Sequence, residues 1–172
     1  MSQSDPHDEL PLDPDAAILG TTSPLHFQPR LVVMVALGAL PGTLARYVIS
    51  RAWPVGATAF PLSTLVINLS GAFLLGVILE ALARRGDDSG RRREVRLLVG
   101  TGFCGAFTTY STLAVQAELL VRNSHSATGI SYALVTVVGG LLATAAGIAT
   151  AAGDHTRRQH RLPIDPDLAE QA

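Results

Sequence analysis

The chain has 172 residues, 48% of them apolar and 16% charged, with a formal net charge of −1 and a single cysteine. That length allows one domain, the near-zero charge singles out no partner class, and one cysteine excludes an internal disulfide. Four apolar windows reach the roughly 20 residues that a membrane span needs: Leu31–Ser50, Pro61–Ala83, Val95–Val121 and Ala127–Ala152. A water-soluble four-helix bundle would need a polar stripe facing solvent on every helix, and the second and fourth windows have no charged outer face, only Glu80 near the end of one. The expectation is an all-α membrane protein with four transmembrane helices over residues 30–153, between tails at 1–29 and 154–172.

The N-terminal tail carries Asp5, Asp8, Glu9, Asp13 and Asp15 among Pro6, Pro11 and Pro14. It lacks the basic start and apolar run of a signal peptide and reads as disordered, as does the tail beyond 153. In the first span, Gly38 and Gly42 form a GxxxG spacing that lets another helix approach closely. Pro41 is expected to bend that helix. Arg46 lies near the span's outer end, where it either faces protein or water or snorkels to the surface.

In the second span, Thr64 and Asn68 share a face, which Ala72 and Gly76 continue with small side chains. That face meets another helix. The Asn68 amide needs partners that lipid cannot supply, so it is either a helix–helix clamp or part of a pore lining. The loop that follows holds Arg84, Arg85, Arg91, Arg92, Arg93 and Arg96, and the C-terminal tail holds Arg157, Arg158 and Arg161. By the positive-inside rule, this loop and both termini face the cytoplasm. An arginine loop between two spans is an orientation signal rather than a nucleic-acid patch.

The third span carries the most informative stretch, Gly102-Phe103-Cys104-Gly105-Ala106-Phe107-Thr108-Thr109-Tyr110-Ser111-Thr112. Back-bonding to the preceding turn accounts for one or two of its hydroxyl residues, not for the whole cluster at mid-membrane. Irregular backbone survives at that depth only where protein or a water-filled path satisfies it. A helix broken there to bind or conduct an ion is the expected reading. Cys104, with no histidine in the spans to activate it, reads as a small packed residue. Gln116 lies near the outer end, and Glu118 and Arg122 read as a surface pair.

The fourth span has two stripes at four-residue spacing. Gly139, Ala143 and Gly147 form a packing seam, while Tyr132, Thr136, Gly140 and Thr144 offer a polar track. Tyr132 either lines a path or is an interface aromatic. The chain contains no zinc-protease, P-loop or Ser-His-Asp pattern, so it is not read as an enzyme.

Together these segments resemble the CrcB/Fluc family of fluoride channels, across all four spans. The carriers are Gly102 to Leu113, Gly42 with Arg46-Tyr47, and Thr64, Asn68, Gly71 and Gly76. The resemblance implies a plasma-membrane, antiparallel dual-topology dimer with narrow fluoride pores. It also implies a structural sodium ion at the dimer centre, held by backbone carbonyls that map to Gly105 and Thr108. Asn68 maps to a pore asparagine, and Tyr132 and Thr136 to a polar track. Ser111 and Thr112 map to hydroxyls beside the pore, and Arg46 to an arginine near a vestibule. Thr64 joins that pathway through its shared face with Asn68.

Fluoride is small and strongly hydrated, so hydroxyls, amides and aromatic edges must replace its water shell while pore width rejects larger halides. Two positions depart from the family's phenylalanines: Tyr110 keeps a ring and Leu113 has none. The one-sided arginines point to a subunit of fixed orientation, paired with an oppositely oriented relative or with itself. Alternatives are a four-span drug/proton antiporter, which wants an acid in the first span where this chain has Arg46, and a non-conducting partner subunit. The partners expected are therefore fluoride, lipid and a second subunit, with no nucleic acid.

Overall fold

The computed structural model describes residues 28–56 and 58–159, with side chains through residue 153. Most of both expected tails, including the acidic N-terminal cluster and Arg157, Arg158 and Arg161, lies outside the described residues or side chains. Helix α1 spans Pro29–Ala52 and α2 spans Leu62–Ala83. Helix α3, Gly90–Val95, passes directly into a π-helical segment, Arg96–Cys104, and then into α4, Gly105–Phe107. Helices α5, Tyr110–Arg122, and α6, Ser126–Gln159, complete the chain. Among the described residues there is no strand.

Four stretches are long and apolar enough to cross a membrane: Pro29–Ala52, Leu62–Ala83, Gly90–Arg122 and Ser126–Gly153. The chain is a multi-pass membrane protein. The helix ends overrun the expected windows, since α1 begins at Pro29 and α6 continues to Gln159. Proline suits the first helical position, because the amide it lacks would have no intrahelical partner there. α1 stays helical through Pro41.

Packing follows the small residues. α2 packs most extensively on α6, and α1 on the π-helical segment. Gly38 and Gly42 are both buried in the second contact. A Cβ at Gly42 would overlap the carbonyl of Phe103, and one at Gly102 would lie 2.5 Å from the Val35 carbonyl oxygen. The GxxxG spacing thus forms a backbone-to-backbone seam. In the α6 seam, Gly139 meets the Leu69 side chain and Gly147 the backbone of Phe73. A tight turn reverses the chain between α5 and α6. His125 N–H bonds to Leu120 O at 2.8 Å and Ser124 N–H to Val121 O at 3.1 Å, with Ser124 at φ 66°. This is a Schellman closure with serine in the left-handed position.

The outer faces of α1 and α6 are apolar and open. Leu40 is 70% and Leu141 68% exposed in the single chain. Buried side chains sit instead where α2, α5 and α6 converge: Ile67, Leu113, Leu120 and Tyr132.

Candidate functional site

Between α4 and α5 two residues leave helical geometry. Thr108 lies at φ −74°, ψ 160° and Thr109 at φ −149°, ψ 120°. Buried backbone groups released this way must find partners. The Thr108 amide and hydroxyl both donate to Cys104 O, at 3.0 and 2.9 Å. Thr109 is served from another helix. Its amide donates to Asn68 Oδ1 at 2.8 Å, and its carbonyl accepts from Asn68 Nδ2 at 3.0 Å.

The Thr109 hydroxyl then works forward as the cap of α5. It accepts from the Thr112 amide at 3.2 Å, donates to the Thr112 hydroxyl at 3.0 Å and lies 3.3 Å from the Ser111 hydroxyl. Only Thr108 bonds back to the preceding turn; Thr109 does not.

Among the carbonyls that lose their helical donors at this joint are those of Gly105 and Thr108. The amide four residues beyond Gly105 is that of Thr109, which is turned to Asn68. The amide four residues beyond Thr108 is that of Thr112, which is turned to Thr109 Oγ1. Neither carbonyl has its helical donor, and a carbonyl in that state has the chemistry to accept from a donor or to meet a hard cation. Room for the turn comes from Gly71, where a Cβ would overlap the Thr108 methyl.

Beside this joint lies an open-sided groove of about 370 Å³, lined among others by Asn68, Gly105, Thr108, Tyr110, Leu113 and Thr144. Asn68 is therefore a clamp that also faces the groove. Its amide group has two N–H donors, and one of them serves Thr109. Leu113 is buried, whereas Tyr110 is 82% exposed, with Ser111 and Thr112 also exposed beside it.

A second polar cluster forms where α2, α5 and α6 meet. Tyr132 is fully buried, so it is not a lipid-facing interface aromatic. Its hydroxyl donates to Gln116 Oε1 at 3.0 Å and lies beside the Thr64 hydroxyl. The ring meets Phe60 edge-on, centroids 5.5 Å apart at 81°. Thr136, one turn along, donates its hydroxyl proton to Tyr132 O at 2.7 Å. Thr144 donates to Gly140 O at 3.0 Å and lies 3.4 Å from Ala72 O.

The structure thus brings Asn68, Gly105, Thr108, Tyr110 and Leu113 to one groove, and Thr64, Tyr132 and Thr136 to another cluster. Arg46 joins neither. It is half-buried on α1, with no hydrogen bond or ion pair among the described residues. Gln116 is the functional candidate that sequence reasoning left aside. It follows Thr109 and Leu113 at the spacing of one helix face, and that pattern was available to find it. Glu118 and Arg122 form the expected surface pair, at 2.7 Å. Among the described residues no three histidine, cysteine or carboxylate side chains group as a metal site. Chemically, the arrangement offers hydroxyl, amide and ring-edge donors, with free carbonyls at the joint.

A family model described as "CrcB-like protein, Camphor Resistance (CrcB)" matches residues 33–148. The chain is 47% identical over 135 residues to a protein of Leifsonia xyli named fluoride-specific ion channel FluC 2, covering 78% of this chain and 92% of the relative. It is 50% identical over 115 residues to fluoride-specific ion channel FluC 1 of Cutibacterium acnes, covering 67% and 80%. A relative from Chlorobaculum tepidum, named fluoride-specific ion channel FluC, is 37% identical over 64% of this chain and 85% of its own length.

Proposed function

The chain belongs to the CrcB family, and on that premise we propose that it forms a fluoride-specific channel that lowers cytoplasmic fluoride by passive export across the cell membrane. The names of its relatives support the ion. The observation that carries the reading is the Thr108–Thr109 joint, held open at both its amide and carbonyl by Asn68. A membrane helix has no packing reason to give up its own hydrogen bonds and recruit a distant amide in their place.

In this reading the pathway runs past Asn68, Ser111 and Thr112, then past Thr64, Tyr132 and Thr136, with Gln116 as a further member. Tyr110 stands in for a family ring and keeps a positive ring edge, while Leu113 contributes width alone. Arg46 draws anions toward the entrance. Thr136 and Tyr132 currently donate to internal acceptors, so an anion would compete for those protons. Export is driven by acid trapping: HF enters through lipid, ionises inside, and the anion leaves through the channel.

Sodium is read as a structural ion at the centre of an antiparallel dimer. The Gly105 and Thr108 carbonyls, the pair to which the family resemblance maps the ion, would hold it, four oxygens from two subunits, and both have lost their helical donors. An ion there ties the subunits together by neutralising carbonyl dipoles that would otherwise face each other. Replacing sodium with choline throughout purification is expected to lower the dimer fraction on size exclusion. An unchanged dimer fraction removes sodium from the account.

The arginine-rich loop between α2 and α3 and the two termini are read as cytoplasmic. That bias favours one fixed orientation, hence pairing with an oppositely inserted relative. Liposomes carrying this chain alone are then expected to release little fluoride, and liposomes carrying both chains to release it fast. Robust release by this chain alone makes it a homodimer.

A further inference from the structure

We propose that the groove between α1 and the π-helical segment binds one anionic phospholipid, its acyl chain on apolar side chains and its phosphate on Arg93 and Arg96. The proposal stands on the chain's place in the membrane and is independent of the transported ion. The groove measures about 450 Å³, and its lining includes Leu31, Val32, Val35 and Leu97 along with the two arginines. The apolar residues fall inside membrane-spanning stretches, while the arginines sit where the charged loop enters the third. A headgroup and a tail need that order of surfaces at the edge of a bilayer.

Charge makes the site selective. The Nε atoms of Arg93 and Arg96 are buried, and neither has a hydrogen-bond acceptor. Burial keeps those Nε atoms from direct contact with a headgroup, so a phosphate would meet the accessible parts of the two side chains, which are 16% and 33% exposed. One carboxylate, Asp88, serves both side chains. Its carboxylate lies 2.5 Å from Arg96 Nη2 but 4.0 Å from Arg93 Nε, too far for a hydrogen bond, while Arg93 Nη2 donates to the Asp88 backbone carbonyl at 3.0 Å. The nearby Glu94 is engaged by Arg30 at 2.5 Å. Arg91, Arg92, Arg93 and Arg96 therefore outnumber the acids facing them. A zwitterionic lipid would bring its own cation to this surface and gain less.

Native mass spectrometry of the full chain in detergent tests the proposal with phosphatidylglycerol, phosphatidylcholine and inorganic phosphate as probes. The native chain is expected to retain one phosphatidylglycerol and neither other probe. Arg93→Gln with Arg96→Gln is expected to weaken that binding about tenfold, since each basic residue contributes appreciably to anionic-lipid attraction. Arg91→Gln, outside the groove, serves as control and should change it little. Val35→Trp, which fills the groove and keeps every charge, tests the acyl half and should also weaken binding. Unaltered phosphatidylglycerol binding by the double variant or by Val35→Trp overturns the proposal. Equal retention of inorganic phosphate overturns it too. Binding seen only after deletion of residues 1–27 assigns the groove to that acidic segment and likewise overturns the proposal.

Discussion

The two polar clusters of this membrane protein are built from similar residues but satisfied in different ways. At Tyr132, side chains serve one another and their own helix: phenol to Gln116, Thr136 hydroxyl to the carbonyl one turn back. At Asn68, a side chain serves another helix's backbone, replacing bonds that the helix would have made for itself. The first cluster can lose a member and leave the backbone intact. The second cannot, because removing the amide leaves the Thr109 N–H and carbonyl without the partners that hold them out of the helix. The contrast separates a polar surface along a helix from a joint that determines where the helix runs.

The largest effect that sharpens this contrast is expected from Asn68→Leu. Two unsatisfied backbone groups cost on the order of 3 kcal/mol, so thermal unfolding in detergent should move down by many degrees, together with loss of fluoride flux. A variant that melts like the native chain would show that Asn68 does not hold the joint. Gly71→Ala comes next, at roughly 1–3 kcal/mol from overpacking against the Thr108 methyl. Thr108→Ser deletes that methyl, and the double variant should recover most of the loss. Failure of that rescue would place the strain elsewhere.

Tyr132→Phe should be milder. It removes one interhelical hydrogen bond, worth about 0.6 kcal/mol on average in membranes, and leaves the ring packed edge-on against Phe60. Flux should fall more than stability does, and the reverse pattern would make the phenol a clamp like Asn68. Smallest of all is Glu118→Ala. Its pair with Arg122 is exposed on both sides, and a change in melting equivalent to under about 0.5 kcal/mol is expected. A larger shift would mean that the α5–α6 turn depends on that pair.

Much of this was legible before any coordinates. Apolar length marked the four spans, and GxxxG spacing marked the close approach of α1. The face shared by Thr64 and Asn68 pointed to a neighbouring helix. Pattern alone left Asn68 between clamp and lining, because the partner lies 41 residues away in the chain and is backbone, which carries no residue-type signal. Tyr132 was ambiguous for a similar reason. Its position near a span end fits an interface belt, and only burial beneath α2 and α5 excludes that. The π-helical run Arg96–Cys104 carries no residue-type signal of a widened turn, so the pattern indicates a break in the third span but not the wider helix that precedes it. Gln116 was passed over because a single amide near a span end resembles surface polarity until Tyr132 is seen against it.

The central claim is that the Asn68-held joint borders a route for fluoride. Electrode-recorded anion release from liposomes tests it most directly, with this chain reconstituted alone and together with an oppositely oriented relative. The account predicts rapid fluoride release with chloride retained in at least one of the two preparations, and its loss on Asn68→Leu. Fluoride retained in both preparations, or chloride released as fast as fluoride, would contradict it.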